Sequence, residues 1–259
     1  MAEAPTVLLR EHYRCHPKII NFCNQKFYGG KLIVMTEDRE EPAVLTMYRT
    51  APGNHARGHL NQRQIDVIRQ EVLPSLERQG YGSIGIITPY RDQVAAIQTQ
   101  LGKELEVATV HKFQGREKDA IVLTSVDNVI TNFTDDPRML NVAVSRAVKS
   151  LTVITSQDPQ NDRTNYGDLA RYIEYNNCAV IESAVYSVFD LLYQGYADQR
   201  RAFLKKHGRV SEYDSENLAY AVIQNILQKA EFSFVDCAAR VALVNLVKDY
   251  SMLTEEETT

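Results

Sequence analysis

TVHKFQGRE, residues 109–117, and RMLNVAVSRA, residues 138–147, are the two stretches on which the fold of this chain turns. The first begins at the end of a short apolar run, 107–110, that reads as a strand. It carries a Gln114-Gly115 pair suited to a tight turn, where glycine permits close backbone approach. A second strand is predicted over 120–126. The other stretch reads as a helix over 137–147, lying between that strand and a third at 151–155. Strands and helices alternating in this way are the grammar of a parallel α/β sheet.

The alternation continues upstream. A helix is predicted over 17–28, with Ile19, Ile20, Cys23 and Phe27 at helical spacing, then a strand over 43–48 and a helix over 62–78 with Ile65, Ile68, Val72 and Leu76 on its apolar face. SIGIIT, residues 83–88, is a short buried strand that runs into Pro89-Tyr90 and a helix over 91–101. In such a sheet the loop after each strand sits at the carboxyl edge, where open α/β folds bind ligands. Downstream, DPQNDRTNYG, residues 158–167, is polar and turn-rich, and a closing helix follows to 177.

A domain boundary is expected near Ile181, dividing the chain into residues 1–180 and 181–259. Past it the character changes to a long helical stretch over 183–207, with a break expected near Gly195, and a second helix over 215–229. Ser215 is its expected N-cap and Glu216 lies in its first turn. A strand over 239–247 and an acidic tail complete the chain.

Composition narrows the class. Hydrophobic residues make up 44% of the 259, ordinary for a globular protein, and no apolar run approaches the roughly 18 residues of a membrane span. The start lacks a signal-peptide pattern. Cys15, Cys23, Cys178 and Cys237 are scattered with no C-x-x-C spacing, which argues against a zinc site or disulfide framework and fits a reduced cytoplasmic setting. His12 and His16 are four apart, but Pro17 suggests that the helix begins only after them, so no metal site is expected there. A net charge of -4 argues against a generally basic coat without excluding a local strip of Lys and Arg that neutralises phosphates.

Four blocks together carry a resemblance. REHYRCHPKIINFCNQKFYGGKL (10–32), TPYRDQ (88–93), TVHKFQGREKDAIVLTSV (109–126) and DPRMLNVAVSRA (136–147) follow one another over about 150 residues in the order seen in the second RecA-like motor domain of superfamily 1B helicases. The chain resembles that domain. The resemblance implies an α/β, RecA-like P-loop NTPase fold, a parallel sheet flanked by helices, to which the helical stretches past residue 181 add a small, mostly helical C-terminal unit. The phosphate-cradling sequence G-x-x-x-x-G-K-[ST] is missing: neither Gly30-Lys31 nor Gly102-Lys103 has a glycine five positions earlier or a Ser/Thr next. The expectation is therefore the second half of an ATP-driven machine, its first motor domain supplying most of the site for ATP and Mg²⁺.

By the same resemblance Arg14 and Arg146 are the guanidinium groups that reach the γ-phosphate, a task suited to a planar, permanently charged side chain. Glu117 matches the glutamate that accepts hydrogen bonds from the nucleotide sugar, with Gln114 and Gly115 beside it. Single-stranded DNA or RNA is expected on the opposite edge of the same loops. There Thr88 and Thr109 end strands and can offer a hydroxyl and neighbouring N–H groups to a phosphate. Pro89 and Tyr90 offer a stacking surface, and His111 and Lys112 are further phosphate contacts. Movement from 5′ to 3′ is implied by the subgroup alone.

The C-terminal piece resembles, faintly, the leading part of a restriction-endonuclease-like domain, in which Glu216 would be a metal-binding glutamate; stabilising a helix N-terminus accounts for it equally well. Two rivals stand beside the helicase reading. One is a non-catalytic nucleic-acid-binding module with a degenerate motor fold, against which the presence of Arg14, Glu117 and Arg146 argues. The other is the targeting part of a helicase-nuclease.

Overall fold

Six parallel strands make the central sheet, in the order Ala179–Glu182, Leu45–Thr50, Ala147–Ser156, Lys118–Thr124, Ile84–Thr88 and Glu106–Thr109. The computed structural model describes residues 10–51, 56–185, 188–211, 213–215, 217–218 and 220–222. It divides into two compact units, Met1–Val185 and Tyr186–Thr259. The first begins with β1 (Glu11–His12), α1 (Pro17–Phe27), β2 (Ile33–Val34) and β3 (Leu45–Thr50). A small hairpin follows, β4 (Ala56–Arg57) and β5 (Leu60–Asn61), leading into α2 (Gln62–Val67), a π-helical turn (Ile68–Val72) and α3 (Leu73–Arg78). Next come β6 (Ile84–Thr88), α4 (Arg91–Leu101), β7 (Glu106–Thr109), β8 (Lys118–Thr124), α5 (Pro137–Val144) and β9 (Ala147–Ser156). A short 3-10 turn (Pro159–Arg163), α6 (Asn165–Tyr175) and β10 (Ala179–Glu182) close the unit.

Alternation along each strand explains the two layers of helices. In β8, Ile121 and Leu123 join one apolar cluster and Ala120 and Val122 the other; in β9, Leu151 and Val153 face the first and Ile154 the second. α1, α5 and α6 supply Ile19, Ile20, Leu140 and Leu169 to the first cluster. Ile65 of α2, Ile68 and Val72 of the π turn, Leu76 of α3 and Ile97 of α4 supply the second. Both faces of the sheet are thus covered, as an all-parallel sheet requires.

Helix starts follow local chemistry. Pro17 occupies the first turn of α1, and His16 caps it, its side chain accepting the Lys18 N–H. Asp136 caps α5 through the N–H groups of Arg138 and Met139, and Thr164 caps α6.

The structure departs from the sequence expectations in several places. The helix predicted over 62–78 is interrupted by the π-helical turn, which ends two residues before Pro74, a residue that cannot donate to a helical ladder. The helix predicted to reach 147 stops at Val144, because Ala147 pairs with Lys118 as the first residue of β9. β10 pairs in parallel with β3, so the boundary expected near Ile181 falls inside a strand of the sheet.

In the second unit α7 (Val188–His207) runs through Gly195 without the expected break. The strand expected over 239–247 and most of the helix expected over 215–229, including Glu216, lie outside the described residues. Among the described residues no helix is long and apolar enough to cross a membrane.

Candidate functional site

Three separate blocks of sequence meet at the amino ends of β8 and β9. Arg14 Nη1 lies 2.7 Å from Glu117 Oε1, an ion pair between side chains 41% and 39% exposed. The next residue, Lys118, donates its backbone N–H to the carbonyl of Arg146 (3.2 Å). The Cys15 thiol donates to the Ser145 carbonyl (3.3 Å), and the His16 N–H donates to the Val148 carbonyl (2.7 Å). Residues 14–16, 117–118 and 145–148 are therefore tied pairwise, bringing Arg14, Glu117 and Arg146 to one place.

Arg146 does not lie within α5, as the sequence suggested. Ser145 is the C-cap, and Arg146 occupies the turn between helix and strand, where its Nε donates to the Val142 carbonyl (3.2 Å). Its backbone is fixed from both sides.

The electrostatics follow from that gathering. Burial pushes the Cys15 thiol up to about 12, with Arg14, Glu117 and Arg146 all charged neighbours. His12 is lowered, first by burial and then by the Arg14 guanidinium, with Glu117 partly opposing. A neutral imidazole suits its contact, since His12 Nε2 accepts the Cys15 N–H (3.0 Å). Arg14 also lines an open groove of about 640 Å³ with Arg39, Lys149, Glu37 and Glu41.

The segment between Thr109 and Glu117 descends from the carboxyl end of β7 to the amino end of β8. Phe113, fully buried, anchors it against the sheet, and its N–H donates to Thr109 O (2.9 Å). Gly115 has φ +83°, in the left-handed region that favours glycine, and the Arg116 N–H then donates to Phe113 O (3.1 Å). His111, Lys112 and Gln114 are exposed on this turn.

The other candidate residues sit at the opposite end of the sheet. Thr88 and Thr109 are in register at the carboxyl ends of β6 and β7. Both are buried, and the Thr88 hydroxyl is enclosed without a hydrogen-bond partner. Pro89 and Tyr90 follow, half-buried. β8 alone spans seven residues, so the two groups are separated by about 20 Å along the strands.

A buried polar network that sequence reading missed shapes the carboxyl end. Gln93, from TPYRDQ, accepts the Asn61 N–H (2.9 Å), and Asn61 Nδ2 donates to Val126 O (2.6 Å). Gln64 Oε1 accepts from the Thr124 hydroxyl (2.6 Å) and the Val126 N–H (2.9 Å). Val126, β-branched and fully buried, has φ +66°, a strained geometry costing about 1–3 kcal/mol that persists only when its surroundings impose it. Asn61 and Gln64 are those surroundings. Polar residues at the start of an amphipathic helix gave no sequence signal for this role.

One cluster has the ligand types of a metal site: His16, Asp38 and Glu41. His16 Nδ1 accepts the Lys18 N–H (3.1 Å), and Nε2 faces Asp38 Oδ1 (3.3 Å) and Glu41 Oε2 (3.2 Å). With Nδ1 accepting, the proton resides on Nε2, and its donation to the carboxylates accounts for the cluster. Glu216 lies outside the described residues.

Comparison with known proteins agrees with this architecture. The chain is 29% identical over 187 residues to the 5′-3′ DNA helicase ZGRF1 of Mus musculus, covering 65% of this chain and 10% of that protein. It is 32% identical over 181 residues to the regulator of nonsense transcripts 1 of Dictyostelium discoideum (57% and 14%) and 30% identical over 204 residues to the ATP-dependent helicase NAM7 of Saccharomyces cerevisiae (67% and 21%). The chain thus spans a tenth to about a fifth of the length of these relatives. A family model described as an AAA domain (AAA_12) matches residues 1–158, and with its helix-flanked parallel sheet the chain belongs to that family, a RecA-like α/β domain.

Proposed function

We propose that this chain is the second motor domain of an ATP-dependent superfamily 1 helicase that acts on single-stranded DNA or RNA in the cytoplasm. The observation that carries this reading is the gathering of Arg14, Glu117 and Arg146 from three distant blocks at one surface. Two guanidinium groups at a surface, one of them paired with the partly exposed Glu117 carboxylate, are a donor set that suits a polyphosphate. ATP with Mg²⁺, held mainly by the first motor domain of the parent protein, would supply the transferable phosphoryl group. Arg14 and Arg146 would orient toward its γ-phosphate, and Glu117, with Gln114 and Gly115, would receive the nucleotide sugar.

At the carboxyl end, Pro89, Tyr90, His111 and Lys112 would hold the strand. Thr88 and Thr109 would contribute through the backbone around them, since their side chains are enclosed. Residues 186–259 would serve as an accessory unit of the parent.

The test uses the parent protein. Arg146→Ala is expected to lower ATP turnover by roughly 10³- to 10⁵-fold, the range seen for arginine fingers. Arg146→Lys should rescue only partly, because an ammonium lacks the guanidinium fork. A loss smaller than tenfold would show that Arg146 has another role.

A further inference from the structure

Tyr90 is not an isolated ring. It lies nearly parallel to the His59 imidazole, with centroids 4.3 Å apart and planes 8° from parallel, and against the Phe133 ring at 5.5 Å and 27°. Its hydroxyl donates to Asp127 Oδ2 (3.1 Å), a buried carboxylate that also accepts from Thr131 (3.1 Å) and from Thr134. The Tyr90 ring is thus held by its neighbours and at its tip. The surface offered to solvent belongs chiefly to the flanking rings, with the His59 side chain 62% and Phe133 52% exposed.

These rings come from three segments: the β4–β5 hairpin, the residue before α4, and the loop between β8 and α5. The Asn61–Gln93–Val126 hydrogen bonds join the same three segments two or more residues away. The stack is therefore preorganised by buried polar contacts, which would be needless for a chance surface cluster. The Phe133 ring within this fixed row offers a flat apolar face on which a planar partner can stack.

We propose that His59 and Phe133, with Tyr90 between them, form a stacking platform for unpaired nucleobases. This rests on the reading that the chain grips a single strand, and it assigns base contact to two residues outside the helicase-like blocks. Stacking on such rings is sequence-tolerant because every base presents a π face. The position fits, since Tyr90 lies two residues past the end of β6 and Thr109 of β7 lies in register beside Thr88.

The test compares binding of the full 259-residue chain to a labelled single-stranded oligothymidylate and to an abasic strand of the same length and charge, by fluorescence anisotropy. The unsubstituted chain should bind the base-bearing strand about tenfold or more tightly than the abasic one, given that stacking contributes roughly 1–3 kcal/mol per base. Phe133→Ala and His59→Ala should each shrink that ratio about fivefold while affinity for the abasic strand stays put. Thermal unfolding of each variant controls for folding. Should Phe133→Ala unfold the chain, Phe133→Leu reads out the same ratio. Equal binding of both strands, or a ratio untouched in both variants, overturns the platform and leaves backbone binding standing. Binding of neither strand overturns the nucleic-acid reading itself.

Discussion

Gly85 sits in β6 where a side chain has no room. A Cβ there would lie 2.6 Å from Phe113 Cζ, 2.9 Å from Lys118 Cγ and 3.2 Å from Ile121 Cδ1. Lys118 is partly exposed and can yield, but Phe113 is fully buried and cannot retreat without moving the turn between Thr109 and Glu117. Overpacking of this kind costs about 1–3 kcal/mol, and two contacts below 3.0 Å favour the upper half of that range. Replacing a glycine in a strand recovers roughly 0.5–1 kcal/mol of backbone entropy. Overpacking therefore wins, and Gly85→Ala is expected to destabilise the domain by about 1–2.5 kcal/mol. That corresponds to a fall in Tm of about 2–10 °C for a unit of this size. Calorimetry on Gly85→Ala, Phe113→Leu and the double variant measures it. The smaller side chain should make room, so the double variant should be more stable than additivity predicts by at least about 0.5 kcal/mol. An unchanged or raised Tm for Gly85→Ala, or strict additivity, would refute the packing described here.

Four further outcomes are expected. Asp136→Ala removes the cap of α5 and should cost about 0.5–2 kcal/mol in chemical denaturation, whereas Asp136→Asn should lose much less. Cys15 and Cys23 are buried with thiols raised above their ordinary range, so in the native chain both should resist alkylation at pH 8 that labels them after unfolding. The same shift makes stability fall as pH rises from 9 toward 12, since the unfolded chain releases the thiol protons first. His12 has the opposite sense. Its lowered folded-state pKa means that stability present above pH 6.5 declines as pH drops through that lower value, and His12→Gln should flatten this part of the pH–stability curve.

The sheet was largely legible in the sequence because each buried strand is a short apolar run and each covering helix carries a 3.6-residue stripe. Ile84–Thr88 and Lys118–Thr124 fall within two residues of their predicted positions. β10 was missed because Ala179–Glu182 gains its identity from pairing with β3, a tertiary fact. The end of α5 was overextended because VAVSRA is as compatible with helix as with turn and strand, and only the pairing of Ala147 with Lys118 decides. At the site, Arg14, Glu117 and Arg146 were nameable from their blocks, but beyond the Arg14–Glu117 ion pair the ties between those blocks run through backbone atoms of residues 118, 145, 146 and 148, which sequence does not announce. His59 and Phe133 belong to no motif, and their contact with Tyr90 exists only once three loops are folded together.

The outermost strands of the sheet, β7 and β10, are four residues each, against seven in β8 and ten in β9. A four-residue edge exposes a hydrogen-bonding rail of only about 13 Å. One rail begins at Glu106, clasped by Arg116 (2.9 Å) and Lys118 (2.6 Å), and the other ends at the exposed Glu182. A second sheet laid against either margin would find few free amides and would have to bury a charge beside them. Resistance to edge-to-edge aggregation is thus built into the strand lengths, and lengthening β10 by neutral, β-branched residues would be the shortest route to fibre-forming material.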